Sequence, residues 1–277
     1  MVESIDSINL RTMTDASVVA HYARPWGLSP AEEATLERVA ALARGRPILD
    51  IGVGGGRTVD ALRRISSDYL GIDYSPEMVR ACRRRFPGAR FEHADARAMT
   101  QLGDGSIFLA VFSCNGIGMV SHEDRLRILA EVHRVLQPGG LFVFSTHNRN
   151  SPGYRRGFRF PSLQWSANPA RLLVRTARFC RETVRRVRNR RRFRAHEVRA
   201  QDYAVINDVC HDYGTMLYYV TLARQRRQLV DAGFEPDAEA YDLVGARIDD
   251  DTTHDSIALI ARKPGAGVAP TLAEPTA

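Results

Sequence analysis

The sequence predicts an α/β fold built on a doubly wound, mostly parallel sheet, and three observations carry that expectation. From Pro47 to about Thr146 short apolar runs alternate with helical patterns. A glycine-rich loop, Asp50-Ile51-Gly52-Val53-Gly54-Gly55-Gly56-Arg57, stands between the first run and the helix that follows it. The fifth run, LFVFSTH, is continuously apolar, as a strand covered on both faces reads.

Taken in order, ASVVAHYA and SPAEEATLERVAALA predict two helices ahead of the sheet, the second with a Ser29-Pro30 start and glutamates in its first turn. RPILDIG is a strand, RTVDALRRI a helix and DYLGID a second strand. SPEMVRACRRRF is a helix that Ser75 can cap and that Pro76 suits at its first turn. ARFEHAD and SIFLAVFSCN are strands, and HEDRLRILAEVHRVL is a helix with Leu126, Leu129, Val132 and Leu136 at helical spacing. Gln137-Pro138-Gly139-Gly140 stops it before LFVFSTH. Residues 148–215 break the pattern with an irregular Gly/Pro/aromatic stretch and an arginine-rich segment, read as a helical lid inserted into the core. TLARQRRQLVDAGF is helical, and EAYDLVGARI and DSIALIARK add two strands, for seven in all. The expected organisation is helices over the site in 1–46, a core in 47–147 and 216–263, the insertion in 148–215, and a disordered tail in 264–277.

Composition narrows the function. Of 277 residues 44% are hydrophobic and 26% charged, an ordinary globular balance. The net charge of +7 is uneven: residues 171–199 hold 12 arginines against Glu182 and Glu197, a local +10, which leaves −3 for the remainder. Lys263 is the sole lysine. No run of about 18 apolar residues is present to span a membrane, and the first residues carry acids where a secretory signal wants a cationic start. Cys82, Cys114, Cys180 and Cys210 are scattered without metal-ligand spacing, so a zinc site or disulfide framework is not expected and a reducing cytoplasm is.

The glycine loop lets backbone approach a ligand beneath a helix N-terminus. Asp73, 23 positions after Asp50 and at the end of the second strand, can accept hydrogen bonds from both ribose hydroxyls of a nucleoside. A dinucleotide loop wants a third glycine where Arg57 stands. The pattern here is D-x-G-x-G-x-G, whose acid repels a pyrophosphate and suits an amino-acid ammonium. Three spaced glycines also occur in plain turns.

These stretches resemble the class I S-adenosylmethionine-dependent methyltransferases over about 47–147: LDIGVGGG, GIDYSPEMV, HADARAM, FSCNGI and RVLQPGGLFVFS look like the family's five motifs in order. The resemblance implies a Rossmann-like sheet with a closing antiparallel hairpin at 236–262 and S-adenosylmethionine as cofactor. It further implies that Asp73 holds the ribose, that Tyr74 and Met78 flank the adenine, and that Asp95 and Ala96 meet its amino edge. Asp50, Gly52, and Ser113 or Asn115 would surround the methionyl part, with Gly54 and Gly56 completing the loop and Tyr22 folding over it. HNRN and the YY…QL…GF stretches also resemble bacterial methyltransferases of undefined substrate, which fixes no acceptor.

For the acceptor, His147 at the end of LFVFSTH is the candidate base or positioning residue, with a bond to Asn148 as the alternative. Asn148, Tyr218 and Tyr219 are candidate lining residues, although MLYYVTL also reads as a strand or buried helix edge. No N-P-P-Y or D-P-P-Y stretch follows the fourth strand, which argues against amino methylation of DNA bases. The arginine helix places Leu173, Ala177, Val184 and Val187 near one face, and reads as a solvated lid, a dock for anionic surfaces, or a holder of an anionic acceptor. The expected activity is methyl transfer to N or O of a small molecule, with no stable nucleic-acid partner and no metal. A methyltransferase of RNA or membrane lipid recruited by the basic helix, a non-catalytic S-adenosylmethionine-binding module and an NAD-dependent oxidoreductase are the alternatives.

Overall fold

A computed structural model describes residues 3–24 and 26–265, so most of the expected tail, from 266 onward, lies outside the described residues. Three N-terminal helices, α1 (Ile5–Met13), α2 (Ala16–Tyr22) and α3 (Pro30–Ala43), precede the alternating core. The core runs β1 (Ile48–Ile51), α4 (Val59–Ile65), β2 (Tyr69–Asp73), α5 (Pro76–Arg85), β3 (Arg90–His93), β4 (Ile107–Phe112), α6 (His122–Val135) and β5 (Leu136–Asn148). Then come α7 (Pro152–Arg155), α8 (Pro169–Phe193), β6 (Val198–Arg199), β7 (Tyr203–Asp208) and β8 (Thr215–Val220). The chain ends in α9 (Leu222–Asp231), β9 (Glu239–Tyr241), β10 (Arg247–Ile248) and β11 (Ser256–Arg262).

Helix starts follow side-chain chemistry. Ser29 accepts from the Glu32 amide while the Glu32 carboxylate accepts from the Ser29 amide, and Pro30 opens α3. Ser75 and Ser121 cap α5 and α6 by accepting from the Met78 and Asp124 amides. β1, β2 and β4 are buried along their whole length, so each must be covered on both faces. The central order is β5-β4-β1-β2-β3, all parallel, which reverses direction between β1 and β4 and opens a crevice at the strands' carboxyl ends. β11 runs antiparallel to β5 and β9, the expected closing hairpin.

Two apolar layers cover the sheet, one from α6 and α9 and one from α3, α4 and α5. Arg125 of α6 is fully buried in the first. Its guanidinium donates to Ile117 O at 3.0 Å, Thr146 Oγ1 at 3.1 Å and the Gln225 side chain, and lies 4.6 Å from the Tyr218 ring centre. No carboxylate pairs with it among the described residues, and burial lowers its pKa to about 10.

The strand count exceeds the seven expected, because the insertion contributes strands as well as a helix. β7 pairs antiparallel with β8 from Tyr203↔Val220 to Asp208↔Thr215, β6 pairs with β7, and β8 joins β5 in parallel at His147↔Tyr219 and Asn148↔Val220. The β7–β8 turn places His211, Asp212 and Tyr213 at φ of 49°, 57° and 59°, three side-chain-bearing residues in a conformation that sequence assigns to glycine. The tenth strand arises because Asp242 folds EAYDLVGARI back on itself, accepting from the Val244 and Ala246 amides.

The amino-terminal helices are pinned to this sheet. Asn9 of α1, fully buried, exchanges hydrogen bonds with the Met216 backbone of β8 at 2.8 Å each and donates to Met119 O. The end of α2 rests on the glycine loop so closely that a Cβ at Gly55 would lie 2.0 Å from Tyr22 O. Gly55→Ala should therefore destabilise the fold by about 1–3 kcal/mol through forced displacement of α2, whereas Gly103→Ala, which meets nothing within 4 Å, should stay within about 0.5 kcal/mol. Chemical denaturation of the two variants checks the difference.

Candidate active site

The crevice holds a narrow cleft of about 50 Å³ lined by Gly52, Asp73, Tyr74, Asp95, Ala96 and Phe112, among others. Asp73 lines it and is 5% exposed. Its Oδ2 accepts from the Gly54 amide and its Oδ1 from the Ser75 amide, both at 2.8 Å. Burial pushes its pKa up to about 6, against the pull of those two amides. Each carboxylate oxygen retains acceptor capacity toward the cleft. Gly52 adopts φ 61°, and a Cβ there would lie 2.6 Å from the Phe112 ring, so only glycine lets the loop close on β4.

Asp50 lies beneath the loop rather than beside the cleft. Its Oδ2 accepts from Thr58 Oγ1 at 2.6 Å and Tyr69 OH at 2.8 Å, Oδ1 is buried without a partner, and burial raises its pKa to about 6. Gly54 and Gly56 shape the turn above it, and the Gly54 carbonyl accepts from the Cys82 thiol. Tyr74 presents a buried hydroxyl with no partner among the described residues. Asp95 is gripped by Arg97, whose guanidinium also reaches Asp124 at 3.0 Å and Asp6 of α1 at 3.3 Å. Partial burial raises the Asp95 pKa, but the Arg97 contacts outweigh it and hold the carboxyl below its ordinary value. Met78 is buried at the start of α5 and is not among the described residues that line the cleft.

Arg57 clamps the loop to α3 through a bidentate pair with Glu32, and its Nη2 approaches Ser113 Oγ at 3.4 Å, which turns Ser113 toward α3. Its separation from Glu32 in sequence hid that role, as it hid the Arg97 link to Asp6. The Tyr22 hydroxyl meets His211 Nε2 at 3.3 Å, between the loop and the insertion.

A second cavity of about 340 Å³ opens between the sheet and the insertion, lined by Asn115, His147, Tyr154, Arg156, Phe158 and Tyr219, among others. Asn115 and Gly116, consecutive residues, line the larger cavity and the cleft respectively, so the two spaces adjoin across one turn. Asn115 is left-handed at φ 57°, its amide donates to Ser145 Oγ at 2.8 Å, and its Oδ1 accepts from Ser256 Oγ. The His147 ring stacks on Tyr219 with ring centres 5.0 Å apart, and the imidazole makes no hydrogen bond among the described residues. Burial lowers its pKa to about 4, the Arg125 charge adds to that, and Asp208 and Asp255 pull the other way. Tyr219 OH donates to Asp208 Oδ2 at 2.9 Å.

Two expected lining residues are elsewhere. Asn148 is fully buried and consumed by structure: Nδ2 donates to Thr252 O and His254 O, and Oδ1 accepts from the Asn150 amide. It also leaves no bond to His147. Tyr218 points to the opposite face from Tyr219, as strand alternation requires, and its hydroxyl is taken by His122 and Gln228 at 2.8 Å each. Tyr154 and Asp208, which the sequence did not mark, hold positions on the cavity wall. No group of three or more potential metal ligands occurs among the described residues.

Residues 48–140 match the family model described as a methyltransferase domain. The chain carries a class I S-adenosylmethionine-dependent methyltransferase domain. Of curated relatives, a probable S-adenosylmethionine-dependent methyltransferase of Mycolicibacterium smegmatis is 32% identical over 124 residues, 44% of this chain and 46% of the relative. The chain's matches span about half the length of such relatives. The CcbJ methyltransferase from Streptomyces caelestis superposes with a TM-score of 0.61 at 18% identity, covering 92% of this chain and 98% of that one. The 1,6-didemethyltoxoflavin-N1-methyltransferase of Burkholderia thailandensis, solved with its acceptor and S-adenosylhomocysteine, superposes at 0.50 and 16% identity over 85% and 78% of the two chains.

The methyltransferase cleft fits the cofactor of its family on its own chemistry: a buried carboxylate with open acceptor positions, an unpartnered tyrosine hydroxyl and a loop closed by glycines. Asp73→Ala should weaken S-adenosylhomocysteine binding at least about tenfold, since bonds to a charged group contribute about 1.5–3 kcal/mol each. Ribose hydroxyls donate more strongly to the ionised form, whose two oxygens both accept, so wild-type affinity should fall as pH drops through about 6, by up to about tenfold per unit for one linked proton. Titration calorimetry across that range checks both. Affinity that stays flat until pH 4 would mean an ordinary carboxylate.

Proposed function

We propose that the protein transfers a methyl group from S-adenosylmethionine to a nitrogen or oxygen of a small-molecule acceptor. The observation that carries this reading is the meeting of two cavities at Asn115-Gly116, the narrow cleft that Asp73 lines on one side and a larger cavity bearing His147 on the other. The cofactor, when bound, supplies an electrophilic methyl carbon on a sulfonium. Asp73 and Tyr74 are assigned to the adenosine, and Asp95 and Ala96 to its base edge. Asp50 acts through the loop it braces.

The larger cavity takes the acceptor, with Tyr219 and Tyr154 as walls and residues 148–215 closing it from solvent. Residues 3–46 cover the cofactor cleft, as the contact of Tyr22 with the loop supports. His147 receives the proton that the acceptor atom loses. Its low pKa leaves the imidazole neutral and free to accept at neutral pH. The bound acceptor of the didemethyltoxoflavin enzyme is a small nitrogen nucleophile, which supports the same class of acceptor here. A cytoplasmic setting agrees with four free cysteines.

Incubation with S-adenosylmethionine and a panel of small phenols and amines should give acceptor-dependent release of S-adenosylhomocysteine. His147→Ala should lower that turnover by about 10²-fold or more with cofactor affinity unchanged. With S-adenosylmethionine saturating at every pH, so that the Asp73 titration does not enter, the acid limb of turnover should fall near pH 4, because a depressed imidazole pKa keeps the base neutral to lower pH. Near-normal turnover in the variant would remove His147 from proton transfer, and an acid limb at about 6.5 would show an ordinary histidine.

A further inference from the structure

α8 turns its apolar stripe outward. Leu173, Ala177, Cys180 and Val184 follow at i, i+4, i+7 and i+11 and therefore share one face, and that face is in solvent: Leu173 is 72% exposed and Val184 66%. The face packed on the protein is the opposite one, where Phe193 is buried, Arg186 pairs with Asp212 at 2.8 Å, and Arg190 pairs with Glu197. The sequence alone did not say which face would be covered.

The charges are sorted in the same way. Arg181, Arg188 and Arg191 flank the outward stripe and have no carboxylate partner among the described residues. The stretch before the helix exposes two further aromatic rings. Trp165 is 74% exposed and Phe160 65%. Arg175 donates to the carbonyls of Gln164 and Trp165, which ties that stretch to the second turn of α8.

We propose that this surface docks on an anionic lipid bilayer, with α8 lying in the headgroup plane. Exposed Leu, Val, Phe and Trp beside unpaired guanidiniums suit an interface that offers hydrocarbon and negative charge together. A nucleic-acid backbone rewards the arginines and leaves the apolar stripe in water. A second copy would bring two such arginine rows together, and like charge opposes that. The inference is independent of the proposed reaction.

The test uses the full chain with phosphatidylcholine vesicles, with and without phosphatidylglycerol, at about 0.15 M salt. Co-sedimentation should be saturable on the anionic vesicles and at least about tenfold weaker on phosphatidylcholine alone. In Trp26→Phe, which leaves Trp165 as the single tryptophan, emission should shift to the blue on anionic vesicles. Leu173→Gln with Val184→Gln should lose at least about tenfold in vesicle binding, and so should Arg181→Gln, Arg188→Gln and Arg191→Gln together. Unchanged circular-dichroism melts would show that each variant folds, and if one variant does not, the other and the Trp165 emission still decide. Three results would overturn the proposal. These are no saturable vesicle binding, binding to polyuridylate as tight as to vesicles and indifferent to Leu173 and Val184, or self-association in sedimentation that those two substitutions abolish without any vesicle binding.

Discussion

The Asp73 carboxylate is the joint on which the site depends. One oxygen holds the glycine loop through Gly54, the other holds the start of α5 through Ser75, and burial keeps the group close to neutralisation. A group so placed fixes three segments relative to one another and still offers acceptors to a ligand. The strain of leaving a carboxylate in that position is relieved when donors arrive, so fold and cofactor affinity share one interaction. Everything above the loop inherits that position: Arg57 and Glu32 secure it to α3, and α2 closes over Gly55.

The second determinant is the joining of β8 to the end of β5. That short parallel contact at His147 and Asn148 brings the insertion into the sheet and gives alternate residues opposite duties. Tyr219 faces His147 and Asp208 in the cavity, while Tyr218 faces Arg125 and α1 in the interior. The buried guanidinium of Arg125 also acts on His147 across the strand, adding to the burial that keeps the imidazole neutral. Acceptor cavity and apolar core are thus two sides of the same strand pair.

The parallel core was legible because its signals are local: apolar runs, serine caps followed by proline, and glycines at the turn. Asp73, Tyr74, Asp95 and Ala96 fall on the cleft for the same reason, since each sits at or just past a strand end. What was not legible depends on partners distant in sequence. Asn148 looked like a free polar residue after a strand, and Thr252 and His254 claim it. MLYYVTL was readable as a strand, but its pairing with β7 was hidden by a turn that uses His211, Asp212 and Tyr213 where glycine would have announced it. The outward stripe of α8 has the periodicity of a packed face, and only the pairing of Arg186 and Arg190 with Asp212 and Glu197 shows which side is covered.

The central claim is that one cleft, organised by Asp73, receives the nucleoside and delivers the reacting end to the cavity that holds His147. A crystal structure of the protein with S-adenosylhomocysteine tests it most directly. The expected result has both ribose hydroxyls within hydrogen-bond distance of Asp73, the base beside Tyr74 and Ala96, and the sulfur turned past Asn115 toward His147. A ligand bound with its ribose away from Asp73, or with its sulfur facing away from the larger cavity, would contradict the account.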